Sequence, residues 1–343
     1  MATLADVARH AGVAASTVSY VLSGKRPVSE ETRERVSRSI EVLGYQPHAG
    51  ARALASAKSD VLALVVPLRQ DLYVPVMMDI AIAVTTTARR FGYDVLLLTN
   101  DEGPEGIRRV ATGARADAVI LTDVGMEDER IAMVRQTGID AVLIGVPADP
   151  RGLDCVDLDF ARAGALCVEH LAGLGHREVA FIGEAQGIYS RKVGFAERTL
   201  GGIRAAAAQA GMNLVHRPCG GSYEAAAGVL ARILEERPRT TGLIVQNEAV
   251  IAPLMSLLRA TGRIVPEDVS IVAIGQDEVA AKTSPQLSSV NLPAAELGTR
   301  AVELLIRRMA DGADEVVLIP PALTARDSTA PAPATGRPAR QHG

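Results

Sequence analysis

The chain has 343 residues, 48% of them hydrophobic, which is enough to bury more than one core and predicts two or three domains. No apolar run approaches the roughly 18 residues that cross a bilayer, and the first residues lack the apolar stretch of a signal peptide, so we predict a cytoplasmic protein. The net charge of −4 argues against a nucleic-acid partner, but residues 1–58 carry a net +3 and the remainder a net −7. A basic head on an acidic body indicates that only the head meets an anionic polymer.

The sequence pattern of residues 1–47 predicts a head of three short helices, taken here in chain order. Thr3 caps the first helix, and Gly12 ends it. The second helix runs from about residue 15 to residue 22, and the third follows a cap at Ser29. Two short helices joined by a tight turn with a glycine are typical of a helix-turn-helix, whose second helix enters the major groove.

From "VLALVVP" onward, apolar runs alternate with amphipathic stretches, which predicts alternating strands and helices. This alternation indicates an α/β body of two doubly wound parallel-sheet subdomains. The stretch before it is rich in Ala and Gly and reads as a linker with weak helical tendency, and the Pro-rich end predicts disorder. The predicted domains are a helix-turn-helix head at 1–47, a hinge and linker at 48–60, an effector-binding and dimerisation domain at 61–323 (subdomains about 61–160 plus 291–323, and 161–290) and a disordered tail at 324–343.

The head resembles the DNA-binding domain of the lactose-repressor (LacI) family of bacterial transcription regulators. The stretches "TLADVARHAGVAASTVSYVLSG", "VSEETRERV" and "LGYQPHAGARALAS" carry this resemblance. It implies that segment 48–60 is a hinge helix that folds on DNA, and that Leu54 wedges into the minor groove at the centre of a palindrome. The predicted DNA-contacting residues are Thr3, Ala15, Ser16, Thr17, Ser19, Tyr20, Lys25, Arg26, His48, Arg52 and Leu54.

The body resembles the periplasmic-binding-protein-like core of the same family through "EHLAGLGHREVAFIG", "VPEDVSIVAIG" and "SPQLSSVNLPAAELG". This implies an effector between the subdomains, where the carboxyl ends of parallel strands meet. Arg191 and Asn247 match effector-contacting positions. The positions where the family often has carboxylates are occupied by Gly145, Gly275 and Gln276, which weakens the case for a simple monosaccharide. Asp277 is a possible substitute. The predicted effector-binding residues are Tyr73, Arg191, Tyr223, Asn247, Glu248 and Gln276.

The sequence predicts no enzyme, because it has none of the nucleotide-binding, zinc-protease or serine-hydrolase motifs. His170 and His176 lack a further ligand and indicate structural roles, so we predict no metal and no cofactor. Asp157 and Asp159 point the same way along a strand, but we interpret them as a strand end beside a crossover. We expect the three cysteines to be buried, with reduced thiols.

The resemblance implies a homodimeric repressor that binds a palindromic operator and is released by a small-molecule effector, a sugar or related metabolite. The absence of a leucine heptad favours a dimer over a tail-linked tetramer. Alternatives are an activator or dual regulator, a regulator that needs a co-repressor or no effector, and a solute-binding protein.

Overall fold

The computed structural model describes residues 2–23, 26–45, 58–312 and 314–333, with only the backbone of Ser23. It begins with a head of three helices: α1 (Leu4–Ala11), α2 (Ala15–Ser23) and α3 (Glu30–Leu43).

Local sequence signals set the helix ends of the head. The Thr3 side chain accepts the Asp6 backbone N–H at 3.3 Å, and the Asp6 carboxylate accepts the Thr3 backbone N–H at 2.9 Å, which completes a capping box. Gly12 then ends α1 with a φ of 63°, a conformation that favours glycine. The three helices meet over a small core of Val7, Val18 and Val36, each fully buried.

The first sheet of the body is wholly parallel and has six strands. In spatial order these are β11 (Val316–Ile319), β5 (Asp154–Leu158), β4 (Asp140–Ile144), β3 (Ala118–Leu121), β1 (Val61–Val65) and β2 (Asp94–Leu98). Helices α4 (Val74–Arg90) and α13 (Ala294–Asp311) cover one face, and α5 (Gly103–Thr112) and α6 (Glu129–Thr137) cover the other. Burial on both faces explains the continuous apolar runs of the central strands.

The second sheet repeats this plan, with one antiparallel edge strand. In spatial order its strands are β12 (Leu323–Thr324), β10 (Ser288–Asn291), β9 (Ser270–Gly275), β8 (Gly242–Val245), β6 (Glu178–Gly183) and β7 (Asn213–Pro218). Helices α7 (Phe160–Gly173) and α9 (Gly194–Gln209) pack on one face, and α10 (Tyr223–Glu236) and α11 (Ile251–Ala260) pack on the other. Two short helices, α8 (Gln186–Ser190) and α12 (Asp277–Ala281), follow β6 and β9. The fold class predicted from the sequence is confirmed.

The chain passes between the two sheets three times. It crosses between β5 and β6, returns between β10 and β11, and crosses again before β12. The predicted pattern missed five strands. Strands β5, β7 and β10 carry polar residues that break an apolar run, and β12 has only two residues. Strand β11 (VVLI) is apolar and was also missed.

The disorder predicted for residues 324–343 is wrong for 324–333. Ser328 is fully buried, accepts the Ile271 backbone N–H at 2.9 Å and donates its hydroxyl to the Ile271 carbonyl at 2.6 Å. Ala330 accepts from the His176 ring at 3.1 Å, while His170 bonds Thr329. Partners on the second subdomain thus form hydrogen bonds with the polar groups of residues 328–330. The segment is therefore ordered despite its Pro-rich composition.

The same contacts give the two histidines the structural roles predicted for them. All three cysteines are buried and free, as expected. In the ranges that the structure describes, no group of three or more His, Cys, Asp or Glu residues could hold a metal ion.

Candidate functional site

The first turn of α2 lies on the exposed surface of the head. Ala15 and Ser16 are exposed there, while Val18 points into the head core. Thr17, Ser19 and Tyr20 are half-buried along the same helix. Small residues at an exposed helix start leave room for close approach to base edges, and the Ser16 hydroxyl can donate to or accept from them.

Arg26 lies beyond the end of α2, and its guanidinium lies over the Tyr20 ring at 5.3 Å from the ring centroid. This cation–π contact holds an exposed positive charge next to the half-buried face of α2. Thr3 is exposed, with its hydroxyl donated to Asp6 at 2.7 Å in the capping box. The other predicted DNA-contacting residues lie outside the described ranges: Lys25, His48, Arg52 and Leu54.

The body contains a cleft between the two sheets. Its walls come from the carboxyl ends of parallel strands in both sheets, where ligands of such folds bind. Apolar rings line part of it, including Phe160 and Phe195, whose centroids lie 5.5 Å apart. Charged side chains line the rest, and these divide into a paired group and an unpaired group.

The paired group joins the two subdomains across the cleft. Arg191, from the second subdomain, donates to both carboxylate oxygens of Asp71 in the first, at 3.0 and 3.1 Å. Arg69 pairs with Asp123 and with Asp101, the latter at 2.7 Å. Burial raises the pKa of Asp123, although Arg69 and Arg191 oppose this shift. Two arginines are thus matched by three carboxylates.

The unpaired group consists of Asp157, Glu184 and Glu248, which line the cleft without an ion pair among the described residues. Burial is the largest cause of their raised pKa values, to about 7 for Asp157, about 8 for Glu184 and about 7 for Glu248. The negative charges of Glu248 and Asp71 raise the pKa of Glu184 further. The cleft therefore carries excess carboxyl groups in a poorly hydrated place.

Two of these carboxyl groups occupy places next to the glycines where the family often has carboxylates. A Cβ at Gly275 would overlap the Glu248 carboxylate, which accepts the Gln276 backbone N–H. A Cβ at Gly145 would meet the Val124 side chain at 2.8 Å, and Asp157 lies on the adjacent strand, where it accepts the Val146 backbone N–H. Side chains from neighbouring elements thus supply the acidic character that the glycines lack.

The predicted effector residues fall into two sets. Tyr73, Arg191 and Glu248 line the cleft. The other three do not, and two of them have their amides engaged elsewhere. Asn247 donates to the Cys219 carbonyl at 2.9 Å and accepts the Ala249 N–H at 3.1 Å, so it caps the 3₁₀ turn after β8.

Gln276 donates its amide to Asp79 of α4 and so links the two subdomains beside the cleft. Tyr223 is half exposed at the start of α10. Asp277, the possible substitute carboxylate, accepts from Ser289 at 2.7 Å and pairs with Arg326 at 3.0 Å, so it is already engaged with β10 and the C-terminal segment.

Sequence reasoning missed Asp71, Asp123, Glu184 and Gln246 as cleft residues, and it interpreted Asp157 as a strand end. Glu184 and Gln246 directly follow β6 and β8, and Asp123 follows β3 by two residues, which was the available signal. Asp71 lies farther from its strand, in the loop between β1 and α4. The interpretation of Asp159 as a structural residue fits the fold, because it caps α7 by accepting the Arg162 N–H at 2.9 Å. Asp157 differs, since it is buried in the cleft wall with its Oδ2 unpaired.

Comparison with known proteins matches both parts of the chain. Residues 3–48 match the family of bacterial regulatory proteins known as the lacI family, and residues 168–329 match the periplasmic binding protein-like domain. The transcriptional regulator CelR of Thermobifida fusca is 31% identical over 92% of this chain and 94% of its own length. The chain belongs to the lacI family of bacterial regulatory proteins. Catabolite control protein A of Priestia megaterium is 26% identical over 90% of this chain and 92% of its own.

Solved structures agree with the fold of this lacI-family chain. A complex of CelR with cellobiose is 28% identical, covers 96% of this chain and 100% of its own, and superposes with a TM-score of 0.69. The lac repressor dimer bound to its operator covers 96% of this chain and 99% of its own with a TM-score of 0.81, and at 23% identity shows the fold alone.

The lacI-family relatives are transcription regulators and not enzymes, which confirms the prediction that this chain is not one. Within the described ranges, none of the helices is both long and apolar enough to cross a membrane.

The three unpaired carboxyl groups of this lacI-family chain predict a stability that falls as pH rises. Between the ordinary pKa of a carboxyl group, near 4, and the raised values of 7 to 8, the folded chain keeps protons that the unfolded chain has released. Their contribution is therefore full below pH 4 and is lost as pH rises through 7 to 8. We expect the melting temperature of the free protein to fall by about 5 °C or more between pH 5 and pH 8.

Calorimetry of the wild type and of a Glu184→Gln, Glu248→Gln double variant checks this expectation. The amide cannot ionise, so the variant should lose most of the decrease. An equal decrease in both proteins would assign the pH dependence to other groups.

Proposed function

We propose that this chain is a transcriptional repressor that binds a palindromic operator as a homodimer and is released by a small-molecule effector, a carbohydrate or related metabolite. The observation that carries the proposal is the presence in one chain of an exposed α2 surface and a polar cleft between two parallel sheets. CelR supports it as a relative that aligns over nearly the whole length and whose solved complex holds cellobiose.

In this proposal the head at 1–47 recognises DNA, and Ala15, Ser16 and Tyr20 contact base edges. Thr17 and Ser19 contact phosphates and support the helix, and Arg26 contacts DNA from the loop after α2. The remaining proposed DNA contacts are Thr3, Lys25, His48 and Arg52. Segment 48–60 forms the hinge, and the Leu54 side chains of two protomers open the centre of the operator.

The cleft residues proposed for the effector are Tyr73, Arg191 and Glu248, with Tyr223, Asn247 and Gln276 around them. Contacts that already cross one rim of the cleft support a coupling of effector binding to domain closure. The Met126 N–H donates to the Lys192 carbonyl at 2.8 Å, and the Gly194 N–H donates to the Val124 carbonyl at 2.9 Å. A ligand that changes this closure shifts the two subdomains relative to each other, and release of DNA follows if the heads are moved apart.

Selection of bound duplexes from a random DNA pool with the purified full chain tests the proposal. We expect enrichment of one palindrome of two equal half-sites. Enrichment of a single unrepeated half-site would contradict the dimer. Binding that shows no sequence preference and only a steep salt dependence would contradict sequence-specific recognition.

A further inference from the structure

The cleft presents unpaired acceptor atoms to whatever fills it. Asp157 Oδ2, Gln246 Oε1 and Glu248 Oε2 have no hydrogen-bond partner among the described residues, and their side chains are 3%, 4% and 7% exposed. Among the cleft-wall residues that the structure describes, one donor is unpaired in the same way, Arg191 Nε. Because buried polar groups without partners are costly, a bound ligand that brings more hydrogen-bond donors than acceptors would satisfy these atoms when the two carboxyl groups are ionised.

The ion pairs of the cleft wall also favour a ligand that carries hydrogen-bond donors and a positive charge. Arg69 and Arg191 are already matched by Asp71, Asp101 and Asp123, which leaves Asp157, Glu184 and Glu248 without a cation. Arg198 lies near Asp157, but its guanidinium donates to the carbonyls of Val146 at 2.6 Å and Pro147 at 3.1 Å. The cleft thus has three carboxyl groups that its own arginines do not pair with, and each adds a negative charge when it ionises.

A neutral sugar meets only part of this requirement, because every hydroxyl that donates also brings acceptor lone pairs. An ammonium group brings three donors, no acceptor and the opposite charge. The apolar wall formed by Phe160, Phe195 and Ile188 suits the face of a ring beside that group.

We propose, as a step that rests on the proposed function, that the effector is a cationic amine on a hydroxylated ring, of the amino-sugar class, whose ammonium binds between Glu184 and Glu248. Its remaining donors face Asp157 and Gln246. The amine would thereby supply the counter-charge that the cleft lacks.

A matched set of probes tests this inference on the full-length protein. The probes are D-glucosamine, D-galactosamine and D-mannosamine, each beside its neutral parent sugar and its N-acetyl derivative, with thermal unfolding followed at pH 7.5. We expect at least one amine to raise the melting temperature in a saturable manner, and its parent and N-acetyl forms to bind at least about tenfold more weakly. Equal or tighter binding of a neutral form, or binding by none of the amines, overturns the inference.

Two single variants test where the ammonium group binds. Glu248→Gln and Glu184→Gln remove one carboxylate each, and both should weaken binding of the amine at least about tenfold and binding of its neutral parent sugar by a smaller factor. Glu235→Gln, an equal change on the exposed face of α10, is the control and should bind like the wild type. Loss of amine binding in the control, or its retention in both cleft variants, counts against the assigned position.

Calorimetry in two buffers of different ionisation enthalpy gives a readout that does not depend on folding. Ammonium binding favours the ionised carboxyl groups, so we expect protons to be released on binding by the wild type and fewer by Glu248→Gln. Equal proton release in both proteins would remove Glu248 from the site. Failure of the amine probes together with a palindrome from the DNA selection would overturn this inference and leave the proposed function standing.

Discussion

A Ser16→Glu substitution is expected to weaken operator binding by on the order of 100-fold or more without unfolding the head. Ser16 is exposed in the first turn of α2, while the core contacts of this helix come from Val18 and its neighbours. A carboxylate at this position would face the negative potential of DNA and replace a hydroxyl that can donate to either bases or phosphates. Losses of 1–3 kcal/mol per base contact, with added charge repulsion, correspond to about this factor.

Fluorescence anisotropy with the selected operator measures the effect, and Ser37→Glu provides the matched control. Ser37 is exposed on α3, so the control adds the same charge to the same small domain. We expect the control to stay within about threefold of the wild type. If both variants lose affinity equally, the loss reflects the net charge of the head and not the surface of α2.

Replacement of Gly202 by Ala is expected to destabilise the body by about 3 kcal/mol, which lowers the melting temperature by roughly 6–10 °C. Gly202 lies on α9 where that helix meets α7. A Cβ at this position would overlap the Ala161 carbonyl and would lie 2.7 Å from its carbon and 2.8 Å from the Ala161 Cα. These atoms are backbone, so the two helices must separate to relieve the overlap.

The neighbouring residue supplies the control for this prediction. Gly201 lies on the same helix, and a Cβ there would meet nothing within 4 Å. Gly201→Ala should therefore stabilise the chain by up to about 1 kcal/mol, because Ala is the better helix former. Thermal and urea unfolding of both variants measure the difference. A Gly202→Ala protein as stable as Gly201→Ala would show that the two helices are not in close contact.

Local signals explain why the head and the alternation of the body could be predicted. The cap at Thr3, the glycine at residue 12 and the buried runs of the central strands each act over a few residues. The cleft is different, because its wall depends on which strand ends meet. Asp157 and Glu184 come from different sheets, and no short pattern places them together.

The match of a residue to a family position also did not reveal which hydrogen bonds its side chain forms in this protein. Asn247 stands at a family effector position, yet its amide is hydrogen-bonded to Cys219 and Ala249 within the second subdomain. The order of residues 324–333 depends on partners such as His176 and Ile271, more than 50 residues away in the chain, which composition cannot represent.

The return of the chain to the first sheet has a consequence for biosynthesis. Strand β11 pairs with β5 and places Ile319 beside Leu158, although the whole second sheet except β12 is encoded between them. On the ribosome, the nascent first subdomain therefore exposes the edge of β5 until nearly all of the body has been translated. Strands β6 to β10 of the second sheet can assemble during that interval, but each sheet is complete only after its own late strand, β11 or β12, has been translated.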